Sequence, residues 1–547
     1  MADPQDWWRS AVIYQVYIRS FADGSGTGVG DIRGLRSRLP YLHELGVDAL
    51  WINPWYPSPM LDGGYDVADY RNIAPEFGTL ADAERLIAEA HRHGLRIILD
   101  IVPNHTSDRH PWFKAALEAG PGSPERARYV FRPGGGDDGS LAPNNWQSAF
   151  GGPAWTRVTE RDGTPGEWYL HLFDSSQPDL EWGNAEVREE FLDVLRFWFD
   201  RGVDGMRIDV AHGMIKHPEL PDLPANEMGE LLEPPREGDH PYWDRDDVHE
   251  IYRDWRTVAD TYDPPRVFVA EAWVDSPYRL AQYVRPGGLH TAFNFDYLRA
   301  PWSAAELRKT IDQTLDVFHA VHAPATWVLS NHDVERHVTR YGREQTAAAA
   351  GSSRPEDLGE VDEELGRRRA RAAVLLMLAL PGGAYVYQGE ELGLPEVLDI
   401  PEHALQDPIW KRSGYTKRGR DGCRVPLPWT RYGPSYGFGV DGSWLPQPAG
   451  WGARSVQAQE GDSTSMLMLY REALRLRRDV RALTAHDLRW QSSEPSVLTF
   501  ARGSDFVCVA NLGDEMVELP DHSRVLLTSV PLENGLLPSD AAVWLAT

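Results

Sequence analysis

The sequence predicts an α/β protein whose core is a (β/α)8 barrel, also called a TIM barrel. Short apolar runs rich in valine and isoleucine alternate along the chain with amphipathic stretches of helical period. Runs that are apolar on both faces are typical of parallel strands covered by helices. Eight such runs match the strand number of this barrel, whose site lies at the carboxyl ends of the strands. The predicted strands are 11–17, 47–52, 95–102, 203–209, 266–271, 291–295, 327–330 and 382–387.

Helix signals separate these strands. A helical stretch over 35–45 lies between strands one and two, and Thr79 can cap a helix that stops at Gly94, before strand three. Asn184 can cap the helix before strand four, in which apolar residues recur at helical spacing. A last barrel helix is predicted over about 463–477, with its apolar residues on one stripe. This alternation favours a parallel barrel over an antiparallel sheet.

Two stretches interrupt the alternation. Residues 104–177 contain turn residues, prolines, glycines and scattered aromatics, and a structureless loop of that length is implausible, so an inserted B domain is predicted after strand three. A polar, proline-rich insertion is predicted over about 216–247. After the last barrel helix, a strand, a glycine-containing turn and a second strand predict an antiparallel C-terminal domain. The predicted domains are 1–103 and 178–480 for the catalytic barrel, 104–177 for the B domain and 481–547 for the C-terminal β domain.

Composition narrows the class of partner. The net charge of −27 argues against nucleic-acid binding, and no apolar run is long enough to span a bilayer. The N-terminus lacks the basic and apolar regions of a signal peptide, and the two cysteines, Cys423 and Cys508, lie far apart, so a reducing, cytoplasmic location is expected. The 21 tryptophans suit sugar binding and core packing equally well. The oligomeric state is left open.

Polar side chains follow four of the predicted strands at the point where each strand ends. Arg207 and Asp209 lie on one face of strand four, because side chains alternate along a strand. A pair of this kind in isolation is usually a structural ion pair. The convergence of several such residues at one barrel mouth instead indicates a functional site. The residues are Asp100, Asn104, His105, Arg207, Asp209, Glu271, His332 and Asp333.

The three carboxylates Asp209, Glu271 and Asp333 predict glycoside hydrolysis, which uses one carboxyl group as acid and another as nucleophile or base. Arg207 is expected to lower the pKa of Asp209 and hold it ionised, as a nucleophile requires. Burial and neighbouring acids are expected to raise the pKa of Glu271, which suits a proton donor. Asp333 is left to stabilise the cationic transition state, and the two histidines can donate hydrogen bonds to sugar hydroxyls. This chemistry requires no metal or other cofactor.

Four segments at the strand ends also have the form of family motifs. They are residues 100–105 (DIVPNH), residues 205–209 (GMRID), Glu271 and residues 330–333 (SNHD). Together they resemble the motifs of the α-amylase family of retaining glycosidases, in which the second holds the nucleophile and Glu271 would be the acid/base. The resemblance covers nearly the whole chain and implies a catalytic barrel, a B domain after strand three and a C-terminal β domain.

Further segments resemble the oligo-1,6-glucosidase and α-glucosidase branch of that family. They are residues 62–66 (DGGYD), 177–180 (QPDL) and 420–429 (RDGCRVPLPW). The resemblance implies that Asp62 binds the terminal glucose and that Tyr65 stacks on its ring. It also implies that Arg420 pairs with Asp62 and that Arg424 lies near the leaving sugar. Such a pair would close the pocket beyond one glucose unit and make the enzyme exo-acting.

Other positions carry weaker signals. Phe150 and Phe173 match aromatic positions that line the pocket in this branch, although a single phenylalanine is more often a core residue. The first loop reads DGSGTGVGD from Asp23 to Asp31, where the family often has a D-x-N-x-D-x-x-x-D cation site. These two aspartates are the candidate ligands for a structural calcium or magnesium, and a glycine-rich turn is the alternative. Val210 accompanies α-1,6 activity in this branch, but the linkage is left open.

The sequence therefore predicts a retaining, exo-acting α-glucosidase. It would hydrolyse terminal α-linked glucose from short α-glucosides such as maltose, isomaltose and small maltodextrins, through a covalent glucosyl-enzyme intermediate. The nearest alternative is a trehalose synthase or an α-transglucosidase, which uses the same intermediate but shields it from water. A non-catalytic sugar-binding protein is disfavoured because Asp209, Glu271 and Asp333 are all present.

Overall fold

The computed structural model describes residues 6–224, 240–345 and 359–547 of the chain. Eight parallel strands form a nearly closed barrel, which confirms the predicted fold class. In chain order the strands of the described residues are β1 (Val12–Val16), β2 (Ala49–Ile52), β3 (Arg96–Ile101), β4 (Phe131–Arg132), β5 (Trp155–Thr159), β6 (Pro165–Leu170), β7 (Gly205–Ile208), β8 (Val267–Ala270), β9 (Thr291–Ala292), β10 (Thr326–Val328), β11 (Gly383–Tyr387), β12 (Arg489–Trp490), β13 (Val497–Arg502), β14 (Phe506–Asn511), β15 (Arg524–Thr528) and β16 (Ala541–Ala546). The hydrogen-bonded order of the eight barrel strands is β10-β11-β1-β2-β3-β7-β8-β9.

Helices cover the outside of the barrel. The α-helices of the described residues are Ile18–Phe21, Ile32–Ser37, Leu39–Leu45, Leu80–Arg92, Pro111–Ala119, Ala185–Phe199, Val248–Ala259, Pro277–Tyr283, Phe295–Arg299, Ala304–Ala320, His337–Tyr341, Glu363–Ala379, Pro408–Arg412, Val456–Gln459, Met466–Asp479 and Arg481–Thr484. Short 3-10 helices occupy Trp7–Arg9, Arg126–Arg128, Glu402–Ala404, Asp421–Arg424, Pro434–Gly437 and Trp451–Arg454.

The helix starts follow the capping residues of the sequence. Thr79 and Asp82 form a reciprocal capping box at the start of Leu80–Arg92, as the pattern predicts. The stretch predicted as one helix over 35–45 is two helices, Ile32–Ser37 and Leu39–Leu45. The break has a physical cause, because Pro40 has no N–H to donate and is suited to the first turn of a new helix.

Two smaller sheets accompany the barrel. Between β3 and β7, strands β4, β6 and β5 form an antiparallel sheet in that order, inside the predicted B domain. At the C-terminus, five antiparallel strands run in the order β12-β13-β14-β16-β15. The predicted insertion over 216–247 lies partly outside the described residues, and its described parts contain turns and irregular chain. The exact domain limits stay predictions.

Inward-facing side chains fill the barrel. Ile13, Trp51, Ile98, Val269 and Tyr385 come from five strands and belong to one buried cluster. Their neighbours along each strand face outward into the larger cluster between strands and helices. This alternation follows from the two-residue period of a strand. The interior is therefore closed by packed side chains, and a ligand can enter only at a mouth.

Neither cysteine forms a disulfide, since Cys423 and Cys508 are both buried and free. In the described part of the chain, every helix is too short or too polar to cross a bilayer. The predicted cytoplasmic location is not tested by these observations and stays a prediction.

Arg477 holds the amino-terminal end of the barrel together. Its guanidinium donates hydrogen bonds to the main-chain oxygens of Leu378, Leu380 and Gly382, which end the helix Glu363–Ala379 and lead into β11. Burial lowers the pKa of Arg477 to about 10, so the side chain is still charged at neutral pH. A cation is stabilising at this position because the end of a helix carries partial negative charge.

Replacing Arg477 by methionine (Arg477→Met) should lower the free energy of unfolding by about 3 kcal/mol, because buried carbonyl oxygens lose their donors. Urea denaturation followed by tryptophan fluorescence measures the change. Arg478→Met is the matched control, since Arg478 is exposed on the same helix. The control should cost less than about 0.5 kcal/mol. Equal losses in the two variants would contradict this role for Arg477.

Candidate active site

The carboxyl ends of β3, β7 and β8 lie side by side at one mouth of the barrel. Asp100 in β3 is in register with Arg207 in β7, which is in register with Val269 in β8. Asp209 and Glu271 directly follow these strands and emerge at the same mouth. A cavity of about 750 Å³, counting the space open to solvent, opens there. It is lined by Asp62, Tyr65, His105, Gln147, Ala149, Phe150, Phe173, Asp209, Val210, His212, Tyr242, Trp243, Glu271, Trp273, Asp333 and Arg420.

Arg207 lies beneath the cavity and contacts three carboxylates. Its Nη1 is 2.9 Å from Asp100 Oδ1 and 2.6 Å from Asp209 Oδ1, and its Nη2 is 3.7 Å from Glu271 Oε2. The side chain is 2% exposed and lies over the ring of Trp51, 5.0 Å from the ring centre. One buried cation therefore fixes the acids of three adjacent strands relative to one another.

The pKa of Asp209 differs from the sequence-based expectation. Burial raises it well above the usual aspartate value, Arg207 opposes the rise, and the like charge of Glu271 adds to it. Arg207 lowers this pKa as predicted, but desolvation outweighs the ion pair, so the expectation that Asp209 has a lowered pKa overall is wrong. Burial also raises the pKa of Glu271, with Asp333 adding to the rise, in agreement with the sequence-based expectation.

Val210, the residue after Asp209, has a left-handed backbone with φ of 47°. This conformation is rare for a β-branched residue and costs about 1–3 kcal/mol. The Val210 main-chain N–H donates a hydrogen bond of 2.7 Å to Glu271 Oε2. The strained residue thus links the loop after β7 to the carboxylate after β8.

Arg420 joins two carboxylates in the cavity wall. Its Nη2 is 2.9 Å from Asp62 Oδ1 and its Nη1 is 3.1 Å from Asp333 Oδ1. The ion pair implied for Asp62 and Arg420 is therefore present. The guanidinium also lies 5.4 Å from the centre of the Phe150 ring. Arg424 Nη2 is 2.8 Å from Asp333 Oδ1, but Arg424 is buried and lies outside the cavity lining.

The two carboxylates held by Arg420 have opposite pKa shifts. Burial acts to raise the pKa of Asp333, but His332, Arg420 and Arg424 hold it well below the usual range. Burial raises the pKa of Asp62 to about 6, and Arg420 only partly opposes this rise. Asp333 is therefore ionised at every working pH, whereas Asp62 takes up a proton in mildly acidic solution.

His332 lies behind the cavity lining as a neutral ring, since burial lowers its pKa well below the usual value. The amide nitrogen of Gln15 is 2.8 Å from His332 Nδ1. Because an amide nitrogen only donates, Nδ1 accepts and the ring proton is assigned to Nε2. Nε2 is 2.7 Å from the Tyr65 hydroxyl and 3.3 Å from Asp333 Oδ2. The Tyr65 ring itself stacks on the His332 ring, with the ring centres 5.4 Å apart and an angle of 13° between the ring planes.

His105 lines the cavity next to the Asp62 carboxylate. The Gln177 amide nitrogen donates to Asp62 Oδ2 at 3.0 Å and lies 3.1 Å from His105 Nε2. Burial lowers the pKa of His105 to about 4, so the ring is neutral. Phe173 packs 5.2 Å from His105 and 5.6 Å from Phe150, and both phenylalanines line the cavity.

The sequence of the chain matches known protein families. The model for the alpha amylase catalytic domain matches residues 15–486, and a domain of unknown function, DUF3459, matches residues 476–544. The chain belongs to the α-amylase family. It is therefore a glycoside hydrolase of that family, in agreement with the resemblance of its motifs.

Sequence similarity to known proteins extends over nearly the whole chain. A "Probable alpha-glucosidase" of Rhizobium meliloti is 38% identical and is matched over 94% of this chain and 91% of its own length. An "Oligo-1,6-glucosidase" of Parageobacillus thermoglucosidasius is 33% identical and is matched over 94% of this chain and 92% of its own length. The solved structure of an "alpha-glucosyl transfer enzyme", XgtA, superposes with a TM-score of 0.83 at 35% identity and 99% coverage of both chains.

Several residues lining the cavity of this α-amylase family member were not among the sequence-based candidates. His212 and Trp273 lie within three residues of Asp209 and Glu271, so their distance from a strand end was an available signal. No comparable signal points to the aromatic pair of the polar insertion, Tyr242 and Trp243, because apolar residues do not recur at a regular spacing in that segment. The residues are Gln147, Ala149, His212, Tyr242, Trp243 and Trp273.

The aromatic pair forms the cavity wall beside Val210. Trp243 stacks on His212 at 4.7 Å and 25°, and Tyr242 packs 4.5 Å from Trp146 of the B-domain region. Burial lowers the pKa of His212 to about 3, so this ring is also neutral. The wall is therefore uncharged and suits the apolar face of a sugar ring.

The first loop, a frequent cation site in the family, is held by its own hydrogen bonds. Asp23 accepts main-chain N–H groups from residues 25–28. Asp31 accepts two main-chain N–H groups and the Ser25 hydroxyl. Among the described residues, no group of three or more His, Cys, Asp or Glu side chains could hold a metal. In this arrangement the carboxylates of Asp23 and Asp31 are occupied by hydrogen bonds and do not fit a cation. No step described below involves a cation, and the predicted calcium or magnesium stays a prediction.

Proposed function

We propose that this α-amylase family enzyme is a retaining, exo-acting α-glucosidase that acts on short, neutral α-glucosides. The observation that carries the proposal is the placement of Asp209 and Glu271 around one guanidinium in a cavity that also contains the Asp62–Arg420 pair. A retaining mechanism needs a nucleophilic carboxylate and an acid/base carboxyl group that flank one glycosidic bond. In this proposal Asp209 attacks the anomeric carbon and Glu271 protonates the leaving oxygen.

The contacts of Arg207 favour this division of roles. Both acids have raised pKa values, so they compete for protons and titrate as one unit. Arg207 is 2.6 Å from Asp209 but 3.7 Å from Glu271, so it stabilises negative charge on Asp209 more strongly. The shared proton is therefore expected on Glu271, which leaves Asp209 ionised for attack.

The closed end of the cavity supports exo action. At the wall Arg420 contacts both Asp62 and Phe150, and in this proposal the three side chains form a barrier where a longer chain would have to pass. The lining within the described residues has four carboxylates and a single guanidinium, Arg420. Since the two Nη atoms of Arg420 already bind Asp62 and Asp333, a phosphorylated sugar would meet mainly negative charge. Neutral α-glucosides fit this charge pattern.

The second candidate function is glucosyl transfer or isomerisation by the same covalent intermediate, as in an α-transglucosidase or a trehalose synthase. The observation that favours it is the similarity over the full length to the alpha-glucosyl transfer enzyme. Hydrolysis and transfer differ only in whether water or a sugar accepts the glucosyl group. The uncharged wall formed by Tyr242 and Trp243 could hold a sugar acceptor, so products must decide between the two functions.

A time course of proton NMR with maltose, isomaltose and trehalose tests the proposal. We expect α-glucose as the first product, without new disaccharides, because double displacement retains the anomeric configuration. Asp209→Asn should abolish turnover while the chain still folds, because Asp100 and Glu271 remain as partners of Arg207. First-formed β-glucose, or full activity of this variant, would contradict the mechanism. Trehalose or new oligosaccharides formed from maltose would replace hydrolysis by the second candidate function.

The Glu271→Gln variant tests the proton donor. It should lower turnover of maltose about 10²- to 10⁴-fold, the usual contribution of a general acid. It should keep the initial burst of fluoride from α-glucosyl fluoride, whose leaving group needs no proton. In the wild type, turnover of maltose should fall as the pH rises through the raised pKa of Glu271, because only the protonated acid can donate.

The matched control for this variant is Glu306→Gln, which changes an exposed glutamate on the helix Ala304–Ala320. It should leave both activities unchanged. Equal losses of Glu271→Gln on maltose and on α-glucosyl fluoride would show that Glu271 is not the proton donor.

A further inference from the structure

Arg420 has a third carboxylate partner, Asp407, which lies outside the cavity lining. Asp407 Oδ2 is 2.6 Å from Arg420 Nε and also accepts the main-chain N–H of Arg420 at 3.0 Å. The Asp407 side chain is completely buried and cannot touch a ligand in the cavity. Any effect of Asp407 on binding must therefore pass through its arginine partners, which are Arg420 at 2.6 Å and, more weakly, Arg424 at 4.0 Å.

The three nitrogen atoms of the Arg420 guanidinium bind three different carboxylates. Nε binds Asp407, Nη1 binds Asp333 and Nη2 binds Asp62. Because the guanidinium is planar, fixing Nε also fixes the direction of both Nη atoms. Asp407 thus sets the orientation in which Arg420 binds the two cavity carboxylates, Asp62 and Asp333.

The two cavity carboxylates depend on Arg420 to different degrees. Asp333 has a second guanidinium partner, since Arg424 Nη2 is 2.8 Å from its Oδ1. Asp62 has Arg420 as its guanidinium partner, and its carboxylate otherwise accepts a hydrogen bond from the Gln177 amide. A change in the direction of Arg420 should therefore displace Asp62 much more than Asp333.

Asp407 is itself held on all sides. Its Oδ1 accepts the main-chain N–H of Ile409 at 2.9 Å and caps the helix Pro408–Arg412. Its own main-chain N–H donates to Asp421 Oδ2 at 3.0 Å. Gly419 lies against the side chain with φ of 75°, and a Cβ there would come 2.6 Å from Asp407 Cγ. These contacts therefore hold the Asp407 carboxylate in one position.

We propose that Asp407 is a positioning residue for the terminal-glucose subsite, which orients Asp62 through Arg420. The inference rests on the proposed function, in which Asp62 binds the terminal glucose. The carboxylate is ionised, since burial would raise its pKa but Arg420 and Arg424 hold the value below the usual range. Asp407 thus supplies both the charge and the geometry that the Arg420 Nε requires.

The Asp407→Asn variant isolates this role. The amide oxygen can still cap Ile409, but the NH2 group takes the place of the oxygen that faces Arg420 Nε, so two donors meet. Losing a hydrogen bond between charged groups should raise KM for maltose about tenfold, while kcat changes less than about threefold because Arg424 still holds Asp333. Inhibition by the product glucose should weaken by the same factor as KM rises.

Two comparisons separate positioning from general damage. Asp421→Asn removes a neighbouring buried charge but keeps an oxygen for its main-chain donors, and should leave KM unchanged. In an Asp62→Ala background, Asp407→Asn should have no further effect on KM, because the residue through which it acts is gone. If Asp407→Asn does not fold, Asp407→Ser keeps the helix cap and should raise KM in the same way.

If the wild type is active and a folded Asp407→Asn or Asp407→Ser variant has an unchanged KM, this inference alone is overturned. An additive rise of KM in the Asp62→Ala background would also overturn it, since the effect would bypass Asp62. A wild type that turns over no α-glucoside would overturn the proposed function and this inference together.

Discussion

The catalytic mouth depends on one buried ion cluster, the Arg207 guanidinium with the carboxylates of Asp100, Asp209 and Glu271. Removing either sign of charge would leave the other unpaired at a depth where desolvation costs several kcal/mol per ion. The three acids belong to adjacent strands, so the barrel register and the ion cluster support one another. Burial and the like charges of neighbouring acids raise the pKa of both Asp209 and Glu271, which allows one of the two to serve as an acid while the other serves as a nucleophile.

A second cluster of the same chemistry, around Arg420, is carried by other parts of the chain. It is carried by the late loop after β11 and holds Asp62 from the loop after β2 and Asp333 from the loop after β10. The barrel thus supplies the reacting acids, whereas loops outside the strands supply the end wall and the aromatic wall. This division is typical of TIM barrels, in which the loops differ while the strands stay in place. Substrate preference is therefore expected to reside in the loops.

The fold and the reacting acids could be predicted because strong local signals carry them. β3 and β7 are short apolar runs that end in polar residues, and a parallel barrel must bring such ends together. The positive φ of Val210 could not be predicted, because valine rarely adopts it and its hydrogen bond to Glu271 joins residues that are distant in sequence. The raised pKa of Asp209 depends on the depth of burial, and Trp243 reaches the cavity from an aperiodic segment. These features depend on tertiary contacts.

In the proposed mechanism Asp209 forms a covalent bond to glucose while Arg207 holds the carboxylate in place. Trapping with 5-fluoro-α-glucosyl fluoride, whose fluorine slows release of the enzyme-bound sugar, followed by peptide mass spectrometry, tests this bond. We expect one fluoroglucosyl group per chain, attached to Asp209, and none on the Asp209→Asn variant. A label on Glu271 or Asp333, or turnover of this reagent without any labelled peptide, would contradict it.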